Sequence, residues 1–589
     1  MSNLRKILKG MEKRYAVYTA LSPVSMVGEV LLETYIPLVM AKIIDVGIAN
    51  RDLPYVLRTG IFMVCCALFS LLCGALGARF AACASQGFSH NLRRRIFSKI
   101  QSFSFANIDK FSTASLITRL TTDVTNIQNV YQMMIRMCVR SPFMLIAGSF
   151  MAFSIDAELS LIFLVAIPIL ATAILFVSTR AHPRFEKMMK KYDALNARVQ
   201  ENLVGIRVVK AFVRGKYEEE KFKNAAQDLQ KAQIHAEKLI IFLTPIMQVV
   251  MYVSIIATMW FGGNKVITTD MTTGQLISFF TYISQVLSSL MMLGMVFVSL
   301  VLSRASMQRI CEVLDEESDV TNPENPIMNV KDGSICFENV DFSYNKREDN
   351  CVLTDVNLKI ESGQVVGIIG GTGSSKTTLV SLIPRLYDSL KGSVKVGGND
   401  VRSYDLTTLR DSVAMVLQKN VLFSGTILDN LKWGNANATE EEIIQACKAA
   451  DAHNFISSFT EGYKTVLGQG GVNVSGGQKQ RLCIARALLK KPKILILDDS
   501  TSAVDTATES RIRTALKDIC PDTTKIIIAQ RISSVKDADV IFVLDGGKIS
   551  GYGTHDELLT TNAIYREVFD SQQQGSGDCD MPGEEGGEN

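Results

Sequence analysis

Long apolar runs alternate with polar connections in the first half of the chain. Six runs reach about the 20 residues that a helix needs to cross a bilayer, and they span 15–48, 55–88, 129–155, 159–181, 238–262 and 274–303. The connections 89–128 and 182–237 are long and rich in Lys and Arg, whereas the other three are short and carry few basic residues. Because basic connections stay in the cytoplasm, the pattern predicts a cytoplasmic segment 1–14, then six membrane helices over 15–303 with long cytosolic extensions. Both termini are then cytoplasmic.

Charged residues interrupt two of these runs. Glu29 and Glu33 lie one helical turn apart, and Arg136 and Arg140 have the same spacing. At 1.5 Å per residue from the outer ends of their runs, Glu33 and Arg140 lie about 21–22 Å deep, and Glu29 and Arg136 about 27–28 Å. Since a charge at the bilayer centre costs about 2.5–3.5 kcal/mol, one interpretation is intramembrane ion pairs or the lining of a substrate pathway. The other is polar helix extensions near the cytosolic face that only orient the helices.

The apolar character ends at about Ser303. Residues 304–332 are charged and then contain Pro323 and Pro326, which predicts a helix tail followed by a linker. A soluble domain is predicted over 333–570. The tail 571–589 is rich in Gly and acidic residues, so disorder is predicted there.

The soluble domain contains a strand, loop and helix pattern typical of phosphate binding. The β-branched run Val365–Ile369 enters a glycine-rich loop whose backbone N–H groups would cradle phosphates. The residues assigned to this site are Gly370, Gly371, Thr372, Gly373, Ser374, Ser375, Lys376, Thr377 and Thr378. Lys376 would reach the outer phosphates and Thr377 would hold Mg²⁺. The strict pattern GxxxxGK[ST] is broken at Ser375, where glycine is expected.

Two further motifs follow in the soluble domain. An apolar strand, Ile494–Leu497, ends in Asp498 and Asp499, and a carboxylate in that position suits Mg²⁺ coordination. Ser475 and two glycines, Gly476 and Gly477, precede a helical pattern, which predicts a second anion site.

Composition narrows the class of protein. The 589 residues are 47% hydrophobic and 21% charged, which excludes a disordered or collagen-like chain and a small disulfide scaffold. A mean hydropathy of +0.18 fits one apolar and one soluble part. The net charge of +3 gives no support for nucleic-acid binding. Several of the 12 Cys lie in apolar runs, where free Cys acts as a small hydrophobe, and the cytosolic ones are interpreted as reduced.

Together these motifs resemble those of an ABC transporter of the exporter type. The sequence VSGGQ, with Ser475, Gly476, Gly477 and Gln478, matches the family's signature motif. The resemblance implies an all-α six-helix transmembrane domain followed by an α/β P-loop ATPase domain that uses ATP and Mg²⁺. It further implies that Tyr344 stacks on adenine and that Gln418 contacts Mg²⁺ beside Thr377 and Asp498. Cytosolic turns near Phe111–Leu116 and Arg214–Glu219 would dock on the ATPase domains.

The chain departs from the family at its catalytic positions. Asp499 stands where the family has a water-activating glutamate, and Gln530 stands where it has a histidine that contacts the γ-phosphate. Gln469 and Gly470 replace an acidic and basic pair before the signature, and Ser375 is the fourth departure. The shorter arm of Asp499 weakens a general base that must lie within hydrogen-bond reach of its proton.

This combination resembles the degenerate-site subunit of bacterial heterodimeric multidrug exporters. It implies a second, non-identical half-transporter with the catalytic Glu and His intact, and export of small amphipathic drugs, lipids or similar molecules across the cell membrane. The site built on Lys376 and Asp498 would bind ATP but hydrolyse it slowly. Two alternatives stay open: a homodimeric exporter of lipid or peptide, and an ATP-sensing regulatory membrane protein without transport. An importer is disfavoured, because importer membrane subunits are usually separate chains.

Overall fold

The structure is a computed structural model and describes residues 6–8, 10–371, 373–500 and 504–576. The chain forms two compact units. A helical unit contains the residues up to Ser102 together with Phe111–Glu316. A sheet unit contains Phe103–Lys110 and the residues from Glu317 onward.

Long helices account for most of the helical unit, and several continue through an internal proline such as Pro37, Pro142 or Pro245. Helices suit such apolar runs because they satisfy backbone hydrogen bonds within the segment. The helices beginning before residue 316 are α1 Lys13–Lys42, α2 Leu53–Gln101, α3 Phe105–Phe111, α4 Thr113–Thr118, α5 Val124–Ile155, α6 Leu161–Val204, α7 Ile206–Ala211, α8 Gly215–Ile267 and α9 Thr273–Asp315. Short π-helical stretches, Ile43–Ile48 and Arg119–Asp123, follow α1 and α4. Side-chain caps fix the starts of α2, α4 and α9: Asp52 accepts from the Tyr55 N–H, Ser112 accepts from the Ser115 N–H, and Thr272 forms a capping box.

Five of the helices among the described residues are long and apolar enough to cross a bilayer. They are α2, the stretch of α4 and α5 (Thr113–Ile155), α6, α8 and α9. Helix α1, the first of the six predicted spans, is 30 residues long but does not belong to this set. Its apolar run carries Glu29 and Glu33, so its place in a bilayer depends on how those charges are compensated.

The six long helices pack in neighbouring groups. Helix α1 packs mainly against α2 and α5, α5 against α9, and α6 against α8. Phe163, Phe279 and Tyr282 lie in the core where α6 meets α9. Many other apolar side chains are exposed on the unit, Ile146 and Trp260 among them, as expected of helices that face lipid or a partner.

The sheet unit contains two main sheets. Its strands are β1 Ile335–Phe342, β2 Leu353–Ile360, β3 Val365–Ile369, β4 Lys391–Val396, β5 Asn399–Asp400, β6 Val413–Val416, β7 Gly425–Thr426, β8 Val466–Leu467, β9 Ile494–Asp498, β10 Thr524–Ile528, β11 Val540–Asp545 and β12 Lys548–Gly553. An antiparallel sheet has the order β2-β1-β4-β5, a mainly parallel sheet the order β12-β11-β3-β10-β9-β6, and β7 pairs with β8. The α/β fold class predicted for this half is confirmed.

Helices connect these strands and cover the parallel sheet. They are α10 Lys376–Ser381, α11 Leu406–Ser412, α12 Ile427–Lys432, α13 Glu440–Ala449, α14 His453–Ser458, α15 Gly476–Leu489, α16 Thr506–Ile519, α17 His555–Thr561 and α18 Ala563–Ser576. Strands β3, β10, β9 and β6 run parallel, so their carboxyl ends meet at one edge of the sheet. The phosphate loop, Gln530, Asp499 and Gln418 follow those ends.

Two predicted boundaries differ from the structure. The sheet unit begins at Glu317, because the bridge between Ile327 and Tyr404 ties most of the predicted linker to it. Helix α18 continues to Ser576 and so covers the first six residues of the predicted disordered tail. Gln572 of this helix makes hydrogen bonds to the rest of the unit, which stabilise the added turn. Residues 577–589 lie outside the described residues.

Candidate active site

The phosphate loop folds around the ammonium group of Lys376. Lys376 Nζ donates to the carbonyl oxygens of Gly370 and Gly371, both at 2.8 Å, and to Ser374 Oγ at 3.2 Å. Burial lowers the pKa of Lys376, and the nearby Asp499 and Asp498 oppose that effect. An anionic phosphate at the loop would compensate this partly desolvated cation. Thr372, also assigned to the site, lies outside the described residues.

Ser375 has a backbone conformation that favours glycine. Its φ of 72° and ψ of 23° lie in the left-handed region. A non-glycine residue there costs about 1–2 kcal/mol. The structure therefore supplies the reason for glycine in the strict pattern, and the chain keeps that backbone shape with a Cβ atom in place.

Thr377 and Asp498 form the candidate Mg²⁺ site. Thr377 Oγ1 donates to Asp498 Oδ2 at 2.8 Å, at the carboxyl end of β9. Burial raises the pKa of Asp498, with a further contribution from the charge of Asp499, so a bound cation would stabilise its carboxylate. The described residues contain no group of three or more His, Cys, Asp or Glu side chains that could hold a metal by themselves. One carboxylate and one hydroxyl fit Mg²⁺ that is otherwise bound through nucleotide phosphates.

Asp499 lies at the centre of the candidate catalytic residues. Its Oδ2 accepts from Gln530 Nε2 at 2.9 Å and from Gln418 Nε2 at 3.3 Å. The backbone of Asp499 has a φ of 46°, and its N–H donates to the carbonyl oxygen of Ile528. Two of the residues that depart from the family pattern, Asp499 and Gln530, thus contact each other. Both amides donate to the carboxylate, which therefore acts as the hydrogen-bond acceptor in both contacts.

Tyr344, the residue expected to stack on adenine, lies beside the phosphate loop. Its hydroxyl shares a 2.9 Å hydrogen bond with Thr378 Oγ1, and its side chain is 48% exposed. The rings of Phe342 and Tyr387 contact it edge-on, at centroid distances of 4.9 and 5.3 Å. These contacts fix the orientation of the Tyr344 ring and leave part of the ring exposed, where an adenine base could stack.

The signature residues form the start of α15. Ser475 is the N-cap, and Ser475 and Gln478 form a capping box in which each side chain accepts from the other's backbone N–H. Gly476 and Gly477 begin the 14-residue helix. No hydrogen bond among the described residues joins Ser475–Gln478 to the phosphate loop. Gln480, one turn into the helix, donates to the carbonyl oxygen of Asp499 at 3.4 Å.

The turn Phe103–Lys110 belongs to the sheet unit, and sequence reasoning missed it. Tyr387 donates a 2.8 Å hydrogen bond to Asp109 Oδ2, and its ring lies 6.0 Å from that of Phe105. Because Tyr387 also contacts Tyr344, one aromatic side chain joins the turn to the candidate adenine site. The predicted docking turn near Phe111–Leu116 is therefore placed a few residues too late. An amphipathic signal was present in the sequence, since Phe103 and Phe105 interrupt a polar connection.

The membrane charges are partly paired in the helical unit. Arg140 Nη2 lies 2.7 Å from Glu33 Oε2, and Arg140 Nε lies 3.6 Å from Glu29 Oε1. The depth-matched pair Glu33–Arg140 is present, whereas Glu29 pairs with Arg140 rather than with Arg136. One guanidinium reaches both carboxylates because they lie a single helical turn apart. Arg136 Nε is buried and has no hydrogen-bond partner among the described residues.

Glycine makes room for one of these carboxylates. A Cβ atom at Gly74 of α2 would lie 3.0 Å from Glu29 Oε1. Position 74 of α2 therefore lies close to the charged face of α1, and glycine there leaves room for the Glu29 carboxylate.

Comparisons with known proteins cover both units. The family model described as "ABC transporter transmembrane region" matches residues 20–290, and the model described as "ABC transporter" matches residues 353–502. A solved structure titled "Structure of a bacterial Atm1-family ABC exporter with ATP bound" superimposes with a TM-score of 0.81 at 26% identity. That match covers 96% of this chain and 99% of the other.

Curated relatives are similar over nearly the same length. The uncharacterized ABC transporter ATP-binding protein YfiB of Bacillus subtilis is 37% identical over 569 residues, 96% of this chain and 99% of YfiB. Rv1273c of Mycobacterium tuberculosis, also an uncharacterized ABC transporter ATP-binding protein, is 37% identical over 92% of this chain and 94% of its own. The ATP-dependent lipid A-core flippase of Desulfotalea psychrophila is 34% identical over 83% of this chain and 85% of its own.

Proposed function

The chain belongs to the ABC transporter family, as an exporter in which a membrane domain is fused to an ATPase domain, and we propose that it is the degenerate-site subunit of a heterodimer. Exporters of this family act as dimers in a lipid bilayer and couple ATP hydrolysis, with Mg²⁺, to export. The heterodimer proposal specifies the second subunit of the dimer, the partner. It is a non-identical half-transporter with the catalytic Glu and His in place.

The arrangement around Asp499 carries this proposal. The carboxylate that would polarise the attacking water has a one-methylene shorter arm and accepts hydrogen bonds from two amides, Gln530 and Gln418. A glutamine cannot supply the positive charge of an imidazolium toward the γ-phosphate. By contrast, Ser475 and Gln478 form an intact helix start. The chain thus offers a complete signature to a partner's ATP and a weak catalytic set to its own.

The experiment is to restore the missing groups. The full chain is purified in lipid nanodiscs, alone and with the half-transporter encoded beside it, and ATP turnover is measured. The wild-type chain alone should turn over slowly. The variant Asp499→Glu with Gln530→His should raise that turnover at least tenfold, since a positioned general base contributes about 10²–10⁴-fold. Lys376→Ala in the restored variant is the control for contaminating ATPases.

Substitutions in the signature motif and at Asp499 test whether the chain works as part of a heterodimer. With the partner present, Ser475→Ala should lower turnover of the complex, whereas Asp499→Asn should leave most of it. Robust turnover by the wild-type chain alone, unchanged by the partner, would refute the heterodimer and favour the homodimeric alternative. Stoichiometric ATP binding without any transport would favour the ATP-sensing alternative.

For the substrate we propose a small amphipathic molecule such as a drug or lipid. The charged residues Glu29, Glu33, Arg136 and Arg140 support a pathway with polar lining, and the 34% identical relative named as a lipid A-core flippase supports a lipid in particular. Transport of labelled lipids and of cationic and anionic dyes in proteoliposomes would distinguish these classes. We also propose the plasma membrane as the location, with both termini cytoplasmic, because the basic connections 89–128 and 182–237 favour that orientation.

A further inference from the structure

The loop that follows β10 is held by a side chain from the last described helix. Gln572 Nε2 donates to the carbonyl oxygen of Gln530 at 2.8 Å, and Gln572 Oε1 accepts from the Ile532 N–H at 2.9 Å. One amide therefore makes both of its hydrogen-bond types to two backbone positions of the same loop. Such a two-point contact fixes the position of the loop as well as its distance from the helix.

Helix α18 is itself firmly anchored. Tyr565 is fully buried, and its hydroxyl shares a 2.8 Å hydrogen bond with His555 Nδ1. The ring of Phe569 lies 5.4 Å from the ring of His555. Gln572 follows Tyr565 by seven residues, which places both on one face of the helix. Gln572 therefore belongs to a helix that is packed against the domain, and its hydrogen bonds restrain the loop after β10 relative to that helix.

The opposite side of the loop has a second support. Arg513 Nη1 donates to the carbonyl oxygens of Ser533 and Ser534, at 2.9 and 3.1 Å. Arg513 fixes the end of the loop that leads away from the site. Gln572 fixes the end at Gln530, whose own side chain reaches Asp499 at 2.9 Å.

We propose that Gln572 is a positioning residue for ATP hydrolysis. It holds the backbone of Gln530 so that the side-chain amide of Gln530 stays within reach of Asp499 and of the γ-phosphate. Gln572 touches neither nucleotide nor metal in this proposal and acts only through the loop. The inference rests on the proposed function, in which Asp499 and Gln530 form this chain's own weak catalytic set, and it extends that set to the C-terminal helix.

The contact itself is tested by hydrogen exchange of the full chain in nanodiscs. Gln572→Ala should remove protection from the peptide that contains Ile532, because that N–H loses its acceptor. Gln572→Glu keeps an acceptor for Ile532 but loses the donor to the Gln530 carbonyl, so Ile532 should stay protected. Ser571→Ala, at an exposed neighbouring position, is the matched control and should match the wild type. Unchanged protection in Gln572→Ala would overturn the proposal.

The catalytic consequence is tested by the separation of kcat from KM. Turnover at this chain's own ATP site is measured in the complex with the partner's catalytic glutamate replaced by glutamine. Gln572→Ala and Gln572→Glu should both lower kcat about three- to tenfold, the range expected for one or two hydrogen bonds, with KM for ATP within twofold. In a Gln530→Ala background neither change should have a further effect. A purely structural role predicts additive losses and a lower melting temperature, and that result would overturn the proposal.

Failure of this inference can be told apart from failure of the proposed function. If the wild-type chain alone hydrolyses ATP robustly, the heterodimer proposal falls, but the same Gln572 variants can be measured in that homodimer. If restoring Glu and His raises turnover while Gln572→Ala changes neither kcat nor exchange, the proposed function stands and only the positioning role is refuted.

Discussion

Among the described residues, Arg140 is the cation that pairs with both Glu29 and Glu33 of α1. Its removal is therefore the most direct test of the ion pairs in the membrane domain. Its guanidinium lies 2.7 Å from Glu33 and 3.6 Å from Glu29. The exposed fractions of the three side chains are 25% for Arg140, 33% for Glu33 and 17% for Glu29. The group is therefore partly desolvated before any contribution from lipid.

The expected magnitude follows from that burial. Removing one partner of a fully buried pair costs about 3–5 kcal/mol, and an exposed pair is worth about 0–1 kcal/mol. The partial exposure places the loss for Arg140→Ala at about 2–4 kcal/mol. At about 1.4 kcal/mol per factor of ten, the unfolding equilibrium shifts by roughly 30- to 700-fold. Arg140→Glu should cost more, since three like charges would then meet.

The assay is thermal unfolding and yield of the purified full chain in nanodiscs. Glu33→Arg and Arg140→Glu should each destabilise, and the double variant should recover most of the loss, because Arg at position 33 can pair with Glu29 and with Glu at position 140. The matched control reverses the exposed pair Lys191–Asp228, whose nitrogen and oxygen atoms lie 2.8 Å apart. Those reversals should change stability by less than about 1 kcal/mol.

Additive losses in the double reversal would refute the ion-pair reasoning. The charges would then act as separate contacts of a polar helix extension, which is the second interpretation open from the sequence. Full recovery of stability without recovery of transport would instead assign the charges to the substrate pathway as well as to helix packing.

Further predictions concern the ATPase domain. Ser375→Gly should tighten ATP binding about two- to fivefold, and Ser375→Val should abolish it. The reason is the φ of 72° at this position, at which a β-branched residue is strained. Equilibrium binding of a fluorescent ATP analogue measures both effects. Burial raises the pKa of Asp498, so protons should compete with Mg²⁺ at a higher pH than they would at an ordinary aspartate. The affinity for MgATP should therefore fall as the pH is lowered from about 7.5 to 5. The control variant Asp498→Asn should bind MgATP weakly and with little pH dependence. Tyr387→Phe removes the hydrogen bond to Asp109, and it should leave ATP turnover within twofold while lowering substrate transported per ATP in proteoliposomes. Tyr344→Ala should weaken ATP binding about fivefold or more through lost stacking, and Tyr344→Trp should preserve it.

The first three of these predictions each have a clear contradicting result. Equal binding by the Gly and Val variants at position 375 would show that backbone strain there does not affect the nucleotide. A pH profile of MgATP affinity that is identical in Asp498→Asn would assign the titration to another group. A parallel fall of turnover and transport in Tyr387→Phe would place its effect in nucleotide binding rather than in coupling.

The periodicity and the motifs determined most of the fold class from sequence alone. Apolar runs of membrane-spanning length predicted the helical unit, because a backbone in hydrocarbon must satisfy its hydrogen bonds internally. The apolar runs before Gly370 and Asp498 predicted strands, and the structure shows them buried in a parallel part of the sheet. Since such strands align their carboxyl ends, the sequence also implied that the phosphate loop and Asp498 lie together. Local chemistry was sufficient in these cases.

Other features depended on contacts between residues far apart in the chain. No sequence pattern joins Gln530 to Gln572 or Tyr387 to Asp109, since both contacts arise from tertiary packing. The pairing of Arg140 with two glutamates was also decided in three dimensions, because depth along a helix does not give the direction in which a side chain points. Ser375 shows most clearly what the sequence alone could not explain. The sequence identified it as a departure from the phosphate-loop pattern, and only the left-handed backbone at this position explained why the pattern requires glycine.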